Sequence, residues 1–206
     1  MDKSIRRLGA FLMLLFCALF VQLNYIQVYK AERLNVRPGN SRPIDQAFSR
    51  PRGFVTTADG VVLARSVETD DRYEFQRVFP EGELYAHVTG YFNYQFGATG
   101  LESAYNTELS GRAPNQQIKE IGDLFVERDR TGNMRTTIRS DVQQAARAAL
   151  REQIGDAEGT VVALDPRTGS ILALWSWPSF DPNILSSHDL ELASAAREML
   201  TEADGE

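Results

Sequence analysis

The chain has 206 residues, 43% hydrophobic and 24% charged, and a formal net charge of −6. It is too apolar for wholesale disorder, and an acidic surface repels phosphate backbones, which argues against nucleic acid as a partner. The acidic excess lies beyond the N-terminus, because residues 1–7 carry Lys3, Arg6 and Arg7 against Asp2. The single cysteine, Cys17, sits in an apolar run, so an intrachain disulfide is ruled out.

Residues 8–28 carry no charge. At about 1.5 Å per residue, a helix of that length matches the roughly 30 Å hydrocarbon core of a bilayer. Tyr25 and Tyr29 suit an interfacial belt, and the basic flank, residues 1–7, is expected to stay in the cytoplasm with the bulk outside. A cleaved signal peptide has a shorter core ending in small residues, whereas Cys17 and Ala18 lie mid-run here. Phe16 stands where a lipoprotein signal needs a small residue. The expectation is an uncleaved single-pass anchor.

Residues 30–52, broken by Pro38, Gly39, Pro43 and Pro51, read as an extended stalk. Asp59-Gly60 between apolar runs at 54–57 and 61–64 predicts a hairpin. Short strands and turns follow over 73–96, a short helix over 101–109 closed by Gly111, a helix over 118–127 and a strand over 134–138. The firmest helix starts at Ser140, which with Gln143 forms a capping-box pattern. Its apolar face is Val142, Ala145, Ala146, Ala149 and Leu150, and Gly155 is placed to end it. Runs at 160–164 and 170–175 flank the turn-rich 165–169, predicting a second hairpin apolar enough for burial on both faces. A polar helix is expected over 188–199.

Four blocks resemble, in order, segments of the class B penicillin-binding proteins. RGFVTTADGVVLARS (52–66) resembles the Arg-Gly hairpin that opens their non-catalytic pedestal, and GATGLESAYNTELSG (97–111) its Gly-Leu-Glu block. TTIRSDVQQAARAAL (136–150) and GTVVALDPRTGSILALWSWPSFDPN (159–183) resemble the start of the transpeptidase domain. The aromatic run ELYAHVTGYFNYQFG (83–97) is similar to the actinobacterial penicillin-binding protein A branch. The resemblance implies an α+β chain. A transmembrane helix at 8–28 leads to a stalk and a mixed α/β, dimerisation-type pedestal over 29–138, then to the first helix and β-hairpin of a transpeptidase domain over 139–206. It also implies a place in the bacterial cell membrane, with cell-wall synthesis or division proteins, peptidoglycan and a second copy as partners. The activity implied is serine acyl transfer on D-Ala-D-Ala stem peptides.

The residues for that chemistry are missing. Ser-x-x-Lys fails because Gln27 and Gln116 stand three positions before Lys30 and Lys119, and Lys3 has no such neighbour. Lys-Thr-Gly and Ser-x-Asn are absent too, and the Tyr-x-Asn spacing at Tyr91 and Asn93 falls in the pedestal. Ser187-His188-Asp189 spells a triad in letters, but consecutive side chains diverge. His188 with Glu191 offers two metal ligands at most, and Asp70, Asp71, Glu81 and Glu83 read as exposed loop charges. Trp175 and Trp177 share one face of a strand and suit packing. No catalytic, cofactor or metal residue is therefore expected. The chain reads as an incomplete copy of an enzyme, inactive alone, and the alternative is a finished, non-catalytic membrane scaffold. Residues 139–206 alone are expected to aggregate or stay molten, with 30–138 the better folding candidate.

Overall fold

The computed structural model of the chain describes residues 3–30, 45, 47–113 and 131–203. Two compact units emerge, Met1–Asp45 and Gln46–Glu206. The predicted helix at 118–127 and most of the predicted stalk lie outside the described residues.

In the first unit, helix α1 (Lys3–Asn24) runs on into a π-helical turn, Tyr25–Tyr29. The stretch Ile5–Tyr29 is long and apolar enough to cross a membrane, and it contains the predicted span. Its apolar side chains are exposed, as in Phe16 and Met13. At its end Tyr25 and Tyr29 stack 5.7 Å apart, and the Lys30 ammonium lies 5.4 Å from the Tyr25 ring.

The second unit is α+β. The Asp59-Gly60 hairpin forms as predicted, with β1 (Val55–Thr56) against β2 (Val62–Glu68) and Gly60 at φ 90°. β3 (Phe75–Val78) pairs antiparallel with β2, and β6 (Met134–Arg135) parallel with β1, giving the order β3-β2-β1-β6. Between β3 and β6 come a 3-10 turn (Gly82–Leu84), α2 (Ala86–Thr89) and the short pair β4 (Phe92–Asn93) and β5 (Gly97–Ala98). The predicted helix at 101–109 is broken at Tyr105 into α3 (Gly100–Ala104) and α4 (Asn106–Leu109).

Helix α5 (Ser140–Ile154) ends at Gly155 with φ 59°, as its sequence predicts. β7 (Gly159–Leu164) and β8 (Ile171–Trp177) form the second hairpin, closed by Asp165, whose carboxylate accepts the Arg167 N–H and the Thr168 hydroxyl. α6 (Pro182–Leu185) starts with Asp181 capping Asn183 N–H at 2.9 Å and Pro182 at the first helical position. α7 (Leu190–Ala203) completes the described chain.

Two expectations need correcting. The capping box does not form: Arg139 is the N-cap and makes no side-chain cap, while Gln143 is fully buried. The buried stripe of α5 is Gln143 and Ala146 with Leu150 half-buried, and Ala145 and Ala149 of the predicted face are exposed. The second hairpin, whose composition suits burial on both faces, has one face covered by the described residues. Ala173 and Trp175 point inward, while Val162 and Leu164 are 48% and 57% exposed.

A single core explains why the segments stay together. Val55, Leu63, Phe79, Leu84, Tyr85, Leu109 and Ile138 of the pedestal pack as one cluster with Trp175 of the second hairpin. Removing 139–206 would bare the side of the cluster that Trp175 covers. A second cluster stacks Phe48 on Phe92 at 4.5 Å with Tyr73 alongside.

Candidate functional site

Arg52, Arg77 and Glu102 meet in the interior of the pedestal. Arg52 donates to Glu102 Oε2 at 3.0 Å, and Arg77 to Oε1 at 2.8 Å, all three side chains being 2% exposed or less. Arg52 also donates to Asn106 at 2.9 Å and lies 4.0 Å from the Phe92 ring centroid. Burial pushes the pKa of both guanidiniums down against the pull of Glu102. The Arg-Gly and Gly-Leu-Glu blocks thus close one lock across 50 residues of chain. Gly53 is required beside it, because a Cβ there would lie 2.2 Å from the Gly132 carbonyl oxygen.

The pedestal is joined to the second hairpin through side-chain amides that bind backbone. Asn183 donates to Phe79 O at 2.9 Å and accepts from Phe79 N at 2.8 Å, the reciprocal pattern of a strand pair. Gln143 does the same for Leu174, at 2.7 and 2.9 Å, and donates to Leu84 O at 2.8 Å. Asn93 donates to Leu185 O at 2.6 Å. Ser186 is held from two sides, its hydroxyl accepting from Phe92 N and its carbonyl from Gln76. On the open edge of β8, the Leu174 peptide group is thereby paired by a side chain rather than by a further strand.

The β1–β2 turn reaches the same joint. Asp59 accepts from the Ser140 N–H at 3.1 Å and from its hydroxyl, placing a carboxylate at the start of α5. The Ser140 hydroxyl bond, with help from Thr57, holds the Asp59 pKa well below the ordinary carboxylate value of 3.8. A lowered folded-state pKa gives stability that is complete above that ordinary value and lost as the pH falls through the lowered one. Asp59→Asn is therefore expected to melt below the parent at neutral pH, with the gap closing under about pH 4. A gap that stays constant across the acid range would show that Asp59 does not act through its charge.

The triad spelled by Ser187-His188-Asp189 is not formed. His188 Nδ1 pairs instead with Asp71, and its ring packs 4.7 Å from Tyr73. Asp70, Glu81 and Glu83 are exposed, and among the described residues no group of three potential metal ligands occurs. Asn93, of the Tyr-x-Asn spacing, is spent on Leu185 and on the turn N–H groups of Gln95 and Phe96. Trp175 is buried and stacks 6.1 Å from Trp177. Gln143 is the joint residue that sequence reasoning misassigns. Its signal was its phase, three residues before Ala146 and seven before Leu150.

A buried pedestal lock and a hairpin fastened to it define a recognisable class. Residues 52–134 match the family described as the penicillin binding protein A dimerisation domain, and along nearly its whole length the chain is similar to part of the longer class B penicillin-binding proteins. It is 42% identical over 202 residues to the peptidoglycan D,D-transpeptidase PbpA of Mycolicibacterium smegmatis, covering 97% of this chain and 41% of that protein. The PbpA of Mycobacterium tuberculosis is 41% identical with the same coverage. A ceftriaxone acyl-enzyme structure of penicillin-binding protein A from M. tuberculosis superposes with a TM-score of 0.71, over 77% of this chain and 36% of that one. Pseudomonas aeruginosa PBP2 follows at 27% identity and 0.51, over 72% of this chain and 34% of that one. The chain spans about two fifths of the length of the curated relatives it matches.

Proposed function

We propose that this chain is the membrane-tethered front portion of a peptidoglycan D,D-transpeptidase. Residues 1–7 form a cytoplasmic tail, 8–28 the anchor, 29–138 the stalk and pedestal, and 139–206 the start of the acyl-transfer domain. The observation that carries this reading is the 42% identity to a mycobacterial D,D-transpeptidase, sustained along 97% of the chain. The reaction is serine acyl transfer. A serine attacks the D-Ala-D-Ala amide, D-alanine leaves, and an amine of a neighbouring stem takes the acyl group. None of the 206 residues supplies the serine–lysine pair this needs, so the present segment seats the catalytic module rather than performing the step.

The structure supports that seating. Among the described residues β7 pairs only with β8, and the outward Val162 and Leu164 offer an apolar face suited to further covering elements. The basic flank of α1 favours a cytoplasmic N-terminus, with the pedestal facing the wall and there meeting cell-wall synthesis or division proteins or a second copy.

Fluorescent penicillin tests the reading. With a tag at the N-terminus of the native gene, the labelled, denaturation-resistant product should carry that tag, while the 206-residue chain alone should stay unlabelled. A tagged native product that never labels would favour the scaffold reading, and labelling of the 206-residue chain itself would refute the assignment of roles.

A further inference from the structure

His188 sits where the pedestal meets the connection between α6 and α7, with its side chain 11% exposed. Its ring packs 4.7 Å from Tyr73 and 6.0 Å from Phe48. Nδ1 pairs with Asp71 of the β2–β3 turn, 117 positions away in the chain. A carboxylate only accepts, so Nδ1 carries the proton and Nε2 is where the ring gains or loses its charge.

The turn presents that carboxylate. Asp71 Oδ1 accepts from the Thr69 hydroxyl at 3.0 Å and from the Tyr73 N–H at 2.9 Å, which leaves Oδ2 for His188. The Glu74 N–H donates to the Asp71 carbonyl at 3.2 Å, and the Glu74 carbonyl accepts from the Thr69 N–H at 2.7 Å. Glu74 itself takes φ 63°, a conformation that a residue with a Cβ keeps only when its surroundings hold it there. The fastenings just before His188 are neutral, since Asn93 grips the Leu185 carbonyl and Gln76 that of Ser186. At His188 an ionisable pair takes over.

Several influences act on the ring. The touching Asp71 carboxylate and the Tyr73 face favour a charged imidazole. Burial of Nε2, which has no partner among the described residues, opposes it. So does Arg72, whose guanidinium lies 4.7 Å from the Tyr73 ring centroid and 5.5 Å from that of Tyr94. Of the two charges the touching one acts more strongly, because Coulomb energy falls with distance. On the ring's own segment, Asp189 is turned to α7, where it accepts from the Glu191 and Leu192 N–H groups. The Asp71 carboxyl is held below its ordinary value of 3.8. Burial opposes this, and the bonds from His188, Tyr73 and Thr69 outweigh it. It therefore stays charged over about pH 5 to 8, the range in which imidazoles change charge.

We propose that His188 and Asp71 form a pH-dependent latch that fastens the α6–α7 connection to the β2–β3 turn, firm when the imidazole is charged and looser when it is neutral. The latch needs no open surface and stands apart from the transpeptidase reading, since both partners and the rings around them lie within the second unit.

The test combines amide hydrogen exchange with histidine 15N NMR on the isotope-labelled full chain in detergent, between about pH 8 and pH 6. Exchange is followed at Thr69 in the turn and at Ala193, whose N–H donates to the Asp189 carbonyl at the start of α7. Protection, corrected for the intrinsic pH dependence of exchange, should rise about fivefold at both as the pH falls, the modest gain of a charge-assisted bond with one exposed partner. At the upper end of that range the neutral ring should carry its proton on Nδ1. In His188→Gln and Asp71→Asn the rise should vanish. His87, the other of the two histidines, is exposed, and His87→Gln should keep the rise. The two latch variants are run in parallel, so a fold lost in one leaves the other to decide. Protection that ignores pH in the parent, a rise that survives in either folded latch variant, a rise lost in His87→Gln, or a neutral ring protonated on Nε2 would each overturn the proposal.

Discussion

Glu102→Gln is expected to destabilise the second unit by about 3–5 kcal/mol, the cost of leaving a buried charge without its partner. Two guanidiniums converge on this one carboxylate, and both are 2% exposed or less. Without Glu102 they retain the burial penalty that already lowers their pKa values, and they repel each other besides. Asn106 relieves only Arg52. Thermal or urea unfolding followed by near-UV absorption of the two tryptophans reads the effect. A melt within a degree or two of the parent would show that the lock does not hold the pedestal. Replacing all three residues together by apolar ones of similar volume should recover much of the loss, since a buried ion cluster is costly to break but not to replace.

Gln143→Leu ranks next. The side chain is fully buried, and its amide serves Leu84 O, Leu174 O and Leu174 N. Leucine fits the volume but leaves three backbone groups unpaired in the core, each costing about 1–3 kcal/mol. The total expected is about 3 kcal/mol or more, accompanied by much faster hydrogen exchange at the Leu174 amide. If that amide exchanges no faster than its neighbours in β8, the amide clamp contributes little.

The elements built by neighbouring residues were legible from the sequence. Asp59-Gly60, the 165–169 turn, the stop at Gly155 and the long apolar helix all rest on contacts within a few positions. The joint was not, because its side chains reach backbone far along the chain. Gln143 and Leu174 are 31 positions apart, and Asn183 and Phe79 104 apart. A polar residue followed by Gln-Ala-Ala carries the local look of a helix start, and only tertiary packing reveals that Gln143 faces inward. The apolar β7 and β8 carry a different signal. Their composition speaks of two covered faces, whereas the described residues cover one. Arg52 and Glu102 were visible only as letters in the two pedestal blocks, since nothing local says that two charged residues so far apart will bury each other.

The amide clamps have a consequence for sequence drift. Asn183, Gln143 and Asn93 each grip main chain, at Phe79, Leu84, Leu174 and Leu185. A grip on a peptide group is indifferent to the side chain that group carries. Exchanges at the gripped positions are constrained by shape alone, while exchange of a gripping amide severs the two halves of the fold at that point. The fastening is written in three letters and held by positions that may be spelled in several ways.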